Sequence, residues 1–206
     1  MADKMSAMEK IEFWFDFSSG YAYFSALEIE AIGERVGRSI LWRPYLPATT
    51  FKVTCAGCLA SNLLKKDYAQ RDLQRIARRL GVGFELPPHH PSIALAATEA
   101  FYAIEERNPK IARTFALEVL NAYFMCGIDT GKFEHIASVA ALFGVDVAAL
   151  SREVARPHIK EKIKIISERA IAAGVFGSPF FIVDGEPFWG FDRMQMMEMW
   201  IEKGGW

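Results

Sequence analysis

Two strand-forming segments lie near opposite ends of this chain, and a long helical segment separates them. The first strand is predicted for IEFWFDF, residues 11–17, an apolar and aromatic-rich run of strand length. Apolar residues at helical spacing follow in YAYFSALEIEAIGERVG, which ends near Gly37. A second short strand, stopped by Pro44 and Pro47, is predicted for SILWRPYL, residues 39–46. A strand, a helix and a strand with short joints predict a right-handed βαβ unit with parallel strands.

The middle of the chain, from Ala60 to Ala173, has helical spacing that is broken by glycine and proline. One helix ends at Gly81 and carries the apolar side chains Leu64, Tyr68, Leu73, Ile76 and Leu80. Asp146 is a plausible N-cap for one of the helices that follow. These are predicted near 93–107, 111–126, 133–143, 147–155 and 158–173.

The last segment of the chain returns to strands. Two apolar runs in GSPFFIVDGEPFW are joined by Asp184-Gly185, a dipeptide favoured in two-residue hairpin turns. Pro187 belongs on an edge strand, because proline cannot donate to a β-ladder. Helical spacing then resumes in FDRMQMMEMWIEK.

The order of these elements is β-α-β, a helical block, and then β-β-α. Divided in this way, it is the layout of an α/β, thioredoxin-like fold with a large all-helical insertion. The thioredoxin-like domain is predicted to comprise residues 11–50 and 174–206, and the insertion residues 51–173. The sheet would be mixed, because the C-terminal hairpin is antiparallel.

The composition is that of an ordinary globular protein. Hydrophobic residues make up 51% and charged residues 24%, which excludes a disordered chain. The 24 Lys and Arg residues against 25 Asp and Glu residues give a net charge of -1, without the basic excess of a nucleic-acid binder. The sequence has no secretory signal and no apolar stretch of membrane-spanning length. Three cysteines cannot form a disulfide scaffold, so we expect a cytoplasmic protein. From the charge balance and the lack of a membrane-spanning stretch, we expect neither nucleic-acid nor membrane partners.

Ser18 and Ser19 lie where the first strand passes into the first helix. Unpaired backbone N–H groups and the helix dipole favour an anion at such a helix N-terminus. A hydroxyl group there can stabilise a thiolate or an oxyanion without being a nucleophile itself. The alternative is that one of these serines only caps the helix, which is a common role of serine.

Two later turns carry candidate binding groups. Pro179 opens the third strand, where a trans proline is merely tolerated and a cis proline leaves backbone groups of Ser178 available to a ligand. In a thioredoxin layout this proline faces the N-terminus of the first helix across the sheet. Asp192 begins the last helix, where it could cap that helix or bind a ligand ammonium group. The N–H groups beside it could bind a carboxylate.

Cys55 and Cys58 form a lone CxxC pair in TCAGC. A redox pair of the thioredoxin type would follow the first strand and open the first helix, and this pair does not. A zinc site would need two further ligands, which Cys126 and His135 would supply only by coincidence. We therefore expect no metal.

His89 and His90 lie among prolines, and we predict that both are exposed loop residues. The chain has no G-x-G-x-x-G before a helix and no P-loop. Nucleotide chemistry is therefore not indicated.

Three motifs, in order, closely resemble those of 2-hydroxychromene-2-carboxylate isomerases and kappa-class glutathione transferases. The first is FWFDFSSGYAYF, which resembles the opening of these proteins. The second is KKDYAQRDLQRIARRLG, which resembles their central lysine-containing helix, and the third is GVFGSPFFIVDGEPFWGFDRM, which resembles their C-terminal signature. The likeness extends from residue 11 to residue 206, and three separated motifs are a specific signal.

This resemblance implies a glutathione site at the first helix. Aligned on Asp16, Ser19 takes the position of the nucleophilic cysteine of thioredoxins. The frame Ser19-Gly20-Tyr21-Ala22 has no cysteine at either end, which rules out dithiol exchange through this motif. By resemblance, glutathione binds as a cofactor with its sulfur near Ser19. The hydroxyl group would donate a hydrogen bond to the thiolate, and the helix dipole would lower the thiol pKa.

The resemblance also implies how the rest of glutathione is held. The backbone of Ser178, before Pro179, would pair with the peptide in β fashion. Asp192, with the N–H groups near Phe191, would hold the γ-glutamyl end.

Lys65, with Lys66 as a near rival, matches a ligand-binding lysine of the family and could bind a carboxylate.

Two positions depart from the family pattern. Gly20 replaces the usual proline after the serine, so the turn is less fixed. Phe191 replaces a small polar residue, so a side-chain hydrogen bond is lost.

The leading hypothesis is a glutathione-dependent isomerase of aromatic hydrocarbon catabolism. As the resemblance implies, it would convert a 2-hydroxychromene-2-carboxylate-type substrate to an open-chain trans-o-hydroxybenzylidenepyruvate. Its partner would be this small aromatic molecule, and the protein would be a homodimer. The alternatives are a kappa-like glutathione transferase or peroxidase, a catalytically silent thioredoxin-fold binding protein, and a redox sensor that uses Cys55 and Cys58.

Overall fold

A four-stranded mixed sheet forms the centre of the structure, a computed structural model that describes residues 10–54 and 65–206. The strand order is β2-β1-β3-β4, with β1 parallel to β2 and antiparallel to β3. Strands β3 and β4 form the predicted antiparallel hairpin around Asp184-Gly185. The strands are β1 (Lys10–Phe15), β2 (Ser39–Pro44), β3 (Phe180–Val183) and β4 (Glu186–Trp189).

Strand β1 is an inner strand and joins the parallel and antiparallel halves of the sheet. Ile11, Phe13, Trp14 and Phe15 are fully buried, which explains why this strand is an almost continuous apolar run rather than an alternating one. The Phe13 ring stacks on Phe181 of β3 with ring centroids 5.3 Å apart. Aromatic pairs of this kind fix the register between strands.

The helices follow the sequence prediction closely, with bounds that differ by a few residues. Gly37 and Gly81 end two of them in the left-handed conformation, and Asp146 caps a third by accepting from the N–H of Ala149 at 3.0 Å. The short α2, which begins at Pro47, was not predicted. The helices are α1 (Gly20–Val36), α2 (Pro47–Thr54), α3 (Lys66–Leu80), α4 (Leu95–Glu105), α5 (Pro109–Cys126), α6 (Phe133–Ala141), α7 (Val147–Val154), α8 (Pro157–Ala172) and α9 (Met194–Lys203).

Helices α2 to α8 lie between β2 and β3 in the sequence, as the predicted insertion requires. The buried Tyr102 of α4 ties this helical layer to the sheet, because its hydroxyl donates to the carbonyl oxygen of Pro44 at 2.7 Å. The fold class is thereby confirmed as a thioredoxin-like α/β fold with a large helical segment. The division at residues 50 and 174 stays a prediction. No helix in the described part of the chain is both long and apolar enough to cross a bilayer.

Candidate functional site

The end of β1 leads directly into the N-terminus of α1, and Ser19 lies at this junction. Ser19 is the N-cap of α1: its backbone is extended, and its Oγ accepts from the N–H of Ala22 at 3.3 Å. The same hydroxyl group donates to the carbonyl oxygen of Ser178 at 3.0 Å. The capping role predicted for a serine is therefore confirmed for Ser19. This role is compatible with ligand binding, since the hydroxyl remains at the N-terminal end of the helix.

Ser178 and Pro179 bring the start of β3 against this junction. The peptide bond between them is cis, which settles the alternative left open by the sequence. The Ser178 Oγ accepts from the N–H of Asp16 at 2.8 Å, so two hydrogen bonds connect the segments. Tyr45 adds a third, because its buried hydroxyl donates to the carbonyl oxygen of Gly177 at 2.9 Å.

A cavity of about 720 Å³ opens beside this junction. Its size lies within the range of roughly 300–1,000 Å³ that is usual for small-molecule sites. Ser19 and Ser178 line one wall, and Lys65 and Lys66 at the start of α3 line another. The structure thus brings together the predicted serines and both candidate lysines. Pro179, Phe191 and Asp192 are not among the lining residues.

The predicted residues Phe191 and Asp192 lie in a short 3₁₀ turn before α9. Phe191 is buried, and its ring packs on Phe24 with centroids 5.9 Å apart. The exposed Asp192 carboxylate accepts from the guanidinium of Arg193 at 2.7 Å. Neither the turn nor α9 has a side-chain cap, so of the two roles left open for Asp192 the capping role is wrong, and the ligand-binding role stays a prediction. The carboxylate is paired with the adjacent arginine instead of a backbone N–H group.

Asp16 places a carboxyl group in the cavity, directly after the last buried residue of β1. Burial raises its pKa to about 6, although the hydroxyl of Ser18, which donates at 2.6 Å, opposes the shift. The group still touches solvent through the cavity. A carboxyl with such a pKa exchanges its proton readily near neutral pH, which suits a general acid or base. Sequence reasoning used Asp16 only for alignment and missed this property.

Gly20 has a packing reason for replacing the proline that is usual in the family. A Cβ atom at this position would lie 2.8 Å from Cδ2 of Leu73 and 3.1 Å from the ring of Phe84. Leu73 belongs to α3 and is itself buried. The absent side chain therefore lets α3 approach the N-terminus of α1 closely.

Tyr21 follows Gly20 and also lines the cavity. Its hydroxyl donates to the carboxylate of Asp72 at 3.1 Å, and Arg75 holds that carboxylate from its other side. Burial, together with the negative charge of Asp72, raises the pKa of Tyr21. The phenol therefore stays protonated and acts as a fixed polar group on this wall.

His90 is half-buried in the cavity wall, so the prediction that it is exposed is wrong. The same prediction is confirmed for His89, which is exposed. The Nδ1 of His90 is 3.0 Å from the hydroxyl oxygen of the buried Tyr123 on α5. Burial, with a contribution from His89, lowers the pKa of His90 to about 4. The imidazole is neutral at neutral pH. Local sequence could not show this, because Tyr123 is 33 positions away.

One group of three possible metal ligands occurs among the described residues, and it lies away from the cavity. It consists of Glu106, Glu153 and His158. Lys162 already binds Glu106 at 3.2 Å, and Arg156 binds Glu153 at 3.2 Å. These cations occupy the carboxylates that a metal ion would need. Cys55 and Cys58 lie outside the described residues.

The sheet order and the turn at Pro179, which lies against the N-terminus of α1, define a thioredoxin-fold protein with Ser19 at that helix N-terminus. The chain belongs to the DSBA-like thioredoxin domain family, whose sequence pattern matches residues 10–202. This confirms the thioredoxin-like superfamily that the motifs predicted.

Curated relatives confirm the resemblance to 2-hydroxychromene-2-carboxylate isomerases. The protein of that name from Sphingobium xenophagum is 26% identical to this chain, and the match covers 93% of this chain and 97% of the length of that protein. The protein of that name from Pseudomonas putida is 25% identical, and the match covers 91% of this chain and 92% of the length of that protein. The kappa-class likeness stays a prediction.

Solved structures confirm the fold. A 2-hydroxychromene-2-carboxylate isomerase superposes with a TM-score of 0.83 at 24% identity, over 94% of this chain and 95% of its own. The cytosolic disulfide reductase DsbM from Pseudomonas aeruginosa superposes with a TM-score of 0.66 at 15% identity, over 95% of this chain and 98% of its own.

Proposed function

We propose that this protein is a glutathione-dependent isomerase that opens a 2-hydroxychromene-2-carboxylate-type substrate to trans-o-hydroxybenzylidenepyruvate. The observation that carries the proposal is the Ser19 hydroxyl, held at the N-terminus of α1 in the wall of a cavity of about 720 Å³. The names of the curated relatives, which match more than 90% of this chain, support the reaction type. A role in aromatic hydrocarbon catabolism would follow from this substrate.

The residues of the cavity wall fit the chemistry of glutathione. Within the described residues, the backbone N–H of Ser178 makes no hydrogen bond, so it can pair with a peptide carbonyl. Lys65 and Lys66 bring positive charge to a site for an anionic ligand. The lone hydroxyl proton of Ser19 can turn from the Ser178 carbonyl to an anion at the helix N-terminus.

When bound, glutathione would supply a thiolate that adds reversibly to a conjugated carbon, which turns a rigid double bond into a rotatable single bond. Ser19 would stabilise the anionic sulfur with its O–H, aided by the positive end of the α1 dipole. Lys65 or Lys66 would bind the substrate carboxylate. Asp16 could accept a proton from the substrate hydroxyl and return it to the ring oxygen, because its pKa of about 6 permits both steps.

Turnover of 2-hydroxychromene-2-carboxylate with and without glutathione tests the proposal directly. We expect isomerisation that requires glutathione and leaves it unconsumed. Equal rates in both conditions would exclude the cofactor role. Consumption of glutathione with an electrophilic aromatic halide, without chromene turnover, would instead identify a kappa-like transferase.

The Ser19→Ala variant tests the residue on which the proposal depends. Removal of the hydroxyl should lower kcat by about a hundredfold, because a stabilising donor at a developing charge is worth about 3 kcal/mol. Calorimetric binding of glutathione provides a readout besides activity. Ser25→Ala is a matched control, since its hydroxyl lies buried on the same helix and donates to the carbonyl of Tyr21. Undiminished turnover in Ser19→Ala would remove this residue from the mechanism.

A protein that neither binds glutathione nor turns over the chromene would be the silent binding protein. The homodimer and the cytoplasmic location also belong to the proposal. The oligomeric state can be measured by light scattering.

A further inference from the structure

His90 offers a polar group that the proposed mechanism does not use. It lines the same cavity as Ser19, but it comes from the segment between α3 and α4 rather than from the thioredoxin-like junction. Its backbone N–H donates to the carbonyl oxygen of Pro87 at 2.9 Å, which fixes the turn that carries it. The ring packs beside the aromatic side chains of Tyr123 and Phe124, with centroids 6.1 and 6.5 Å away. The side chain is therefore held at its base and at its ring.

The contact between His90 and Tyr123 is the basis for assigning the proton to one ring nitrogen. The Tyr123 oxygen accepts from the N–H of Ser92 at 3.3 Å and lies 3.0 Å from Nδ1 of His90. We assign the hydroxyl as the donor and Nδ1 as the acceptor, because a phenol is a stronger acid than a neutral imidazole. The proton of the neutral ring is then on Nε2.

The position of the ring directs this proton toward the cavity. Nδ1 faces the fully buried Tyr123, and the two ring nitrogens point in widely different directions. Because the half-buried His90 lines the cavity and Tyr123 covers its Nδ1 edge, the Nε2 edge is the one left for a ligand in the cavity. No residue in the described ranges accepts a hydrogen bond from Nε2. A partly desolvated donor without an acceptor in the protein is suited to an acceptor on a ligand.

We infer that His90 is a substrate-binding residue whose Nε2–H donates a hydrogen bond to the ring oxygen of the aromatic acid, which becomes the phenol oxygen on ring opening. This inference rests on the proposed function and adds a residue to the site. A neutral donor suits an ether oxygen, whereas the carboxylate of the same substrate is better matched by the lysines at the start of α3. Tyr123 acts as a positioning residue, because it fixes the tautomer and the orientation of the ring.

The test compares two neighbouring histidines. His90→Phe removes the donor but retains a planar ring, and His89→Phe is the matched control because His89 is exposed and does not line the cavity. We expect His90→Phe to lower kcat/KM for the chromene by roughly tenfold, as for loss of one hydrogen bond to a buried acceptor. Its affinity for glutathione, measured by calorimetry, should stay within about twofold. His89→Phe should leave both quantities unchanged.

Two further variants separate positioning from folding. His90→Gln keeps an N–H donor at a similar reach and should recover part of the lost kcat/KM. Tyr123→Phe should give a smaller loss that disappears in the His90→Phe background, because residues that act as a unit are not additive. Unchanged kcat/KM in both His90 variants would overturn the inference. An equal loss of glutathione affinity would do the same, since His90 would then bind the tripeptide.

Failure of the proposed function would be recognised separately, as absence of chromene turnover in the wild-type protein. In that event, calorimetric binding of chromone-2-carboxylate still decides the role of His90, because this stable acid has the same ring oxygen. Weaker binding to His90→Phe than to His89→Phe supports a donor to an aromatic acid. Equal binding to both variants overturns it.

Discussion

The carboxyl group of Asp16 should make the stability of this protein depend on pH in an unusual direction. Its pKa rises from 3.8 to about 6 on folding because the charged form loses solvent. Between about pH 4 and pH 6, the folded state therefore holds a proton that the unfolded chain has released. Stability from this group is fully present below about pH 4 and is lost as the pH rises through 6.

The magnitude follows from the difference between the two pKa values. At about 1.4 kcal/mol per pKa unit, this difference corresponds to about 3 kcal/mol of destabilisation above pH 6. Contact with solvent through the cavity makes this an upper estimate. Asp16→Asn removes the charge and retains an oxygen that can accept from the hydroxyl of Ser18. The variant should thus be more stable than the wild type by up to about 3 kcal/mol at pH 7.5, and this gain should vanish near pH 4.

Urea unfolding of both proteins at the two pH values measures this effect. Only the difference between variant and wild type is used, because the other carboxylates titrate equally in both. Asp67→Asn is a suitable control, since Asp67 is exposed at the same cavity and its change removes the same charge. A difference between Asp16→Asn and wild type that is the same at pH 4 and pH 7.5 would refute the reasoning.

Two further predictions, one about packing and one about a buried hydrogen bond, can be checked by urea unfolding. Gly20→Ala should destabilise the protein by about 1–3 kcal/mol, because its Cβ would overlap the buried Leu73, and Leu73→Ala in the same chain should relieve part of this cost. Additive losses would contradict the packing role of Gly20. Tyr102→Phe should cost about 1–2 kcal/mol, because the buried carbonyl of Pro44 loses its donor. An unchanged unfolding midpoint would show that water replaces the hydroxyl.

The elements that local chemistry determines could be predicted from the sequence. Asp184-Gly185 gave the hairpin, since few dipeptides accept the backbone of so tight a turn. A serine cap could be predicted from the position of Ser18 and Ser19 between a strand and a helix, and the structure identifies the cap as Ser19. The edge position of Pro187 followed from its missing N–H, and β4 is indeed an edge strand.

The parts of the site that depend on distant contacts could not be predicted. The burial of His90 requires Tyr123, and the raised pKa of Asp16 requires the cavity around it. The short helix that begins at Pro47 was missed because Pro44 and Pro47 were interpreted only as strand stops. Asp192 pairs with the neighbouring Arg193 and does not cap the helix, and no periodicity in the sequence reveals such a pairing.

The hydrogen bond between Ser19 and Ser178 joins positions that are 159 residues apart. Because β3 pairs with β1, which precedes it in the chain, the pocket wall is finished only when the β3–β4 hairpin has left the ribosome. Until then one hydrogen-bonding edge of β1 has no neighbour and is open to pairing with other chains. A nascent chain of this protein should therefore depend on its last strands for protection from aggregation as well as for the completion of its site.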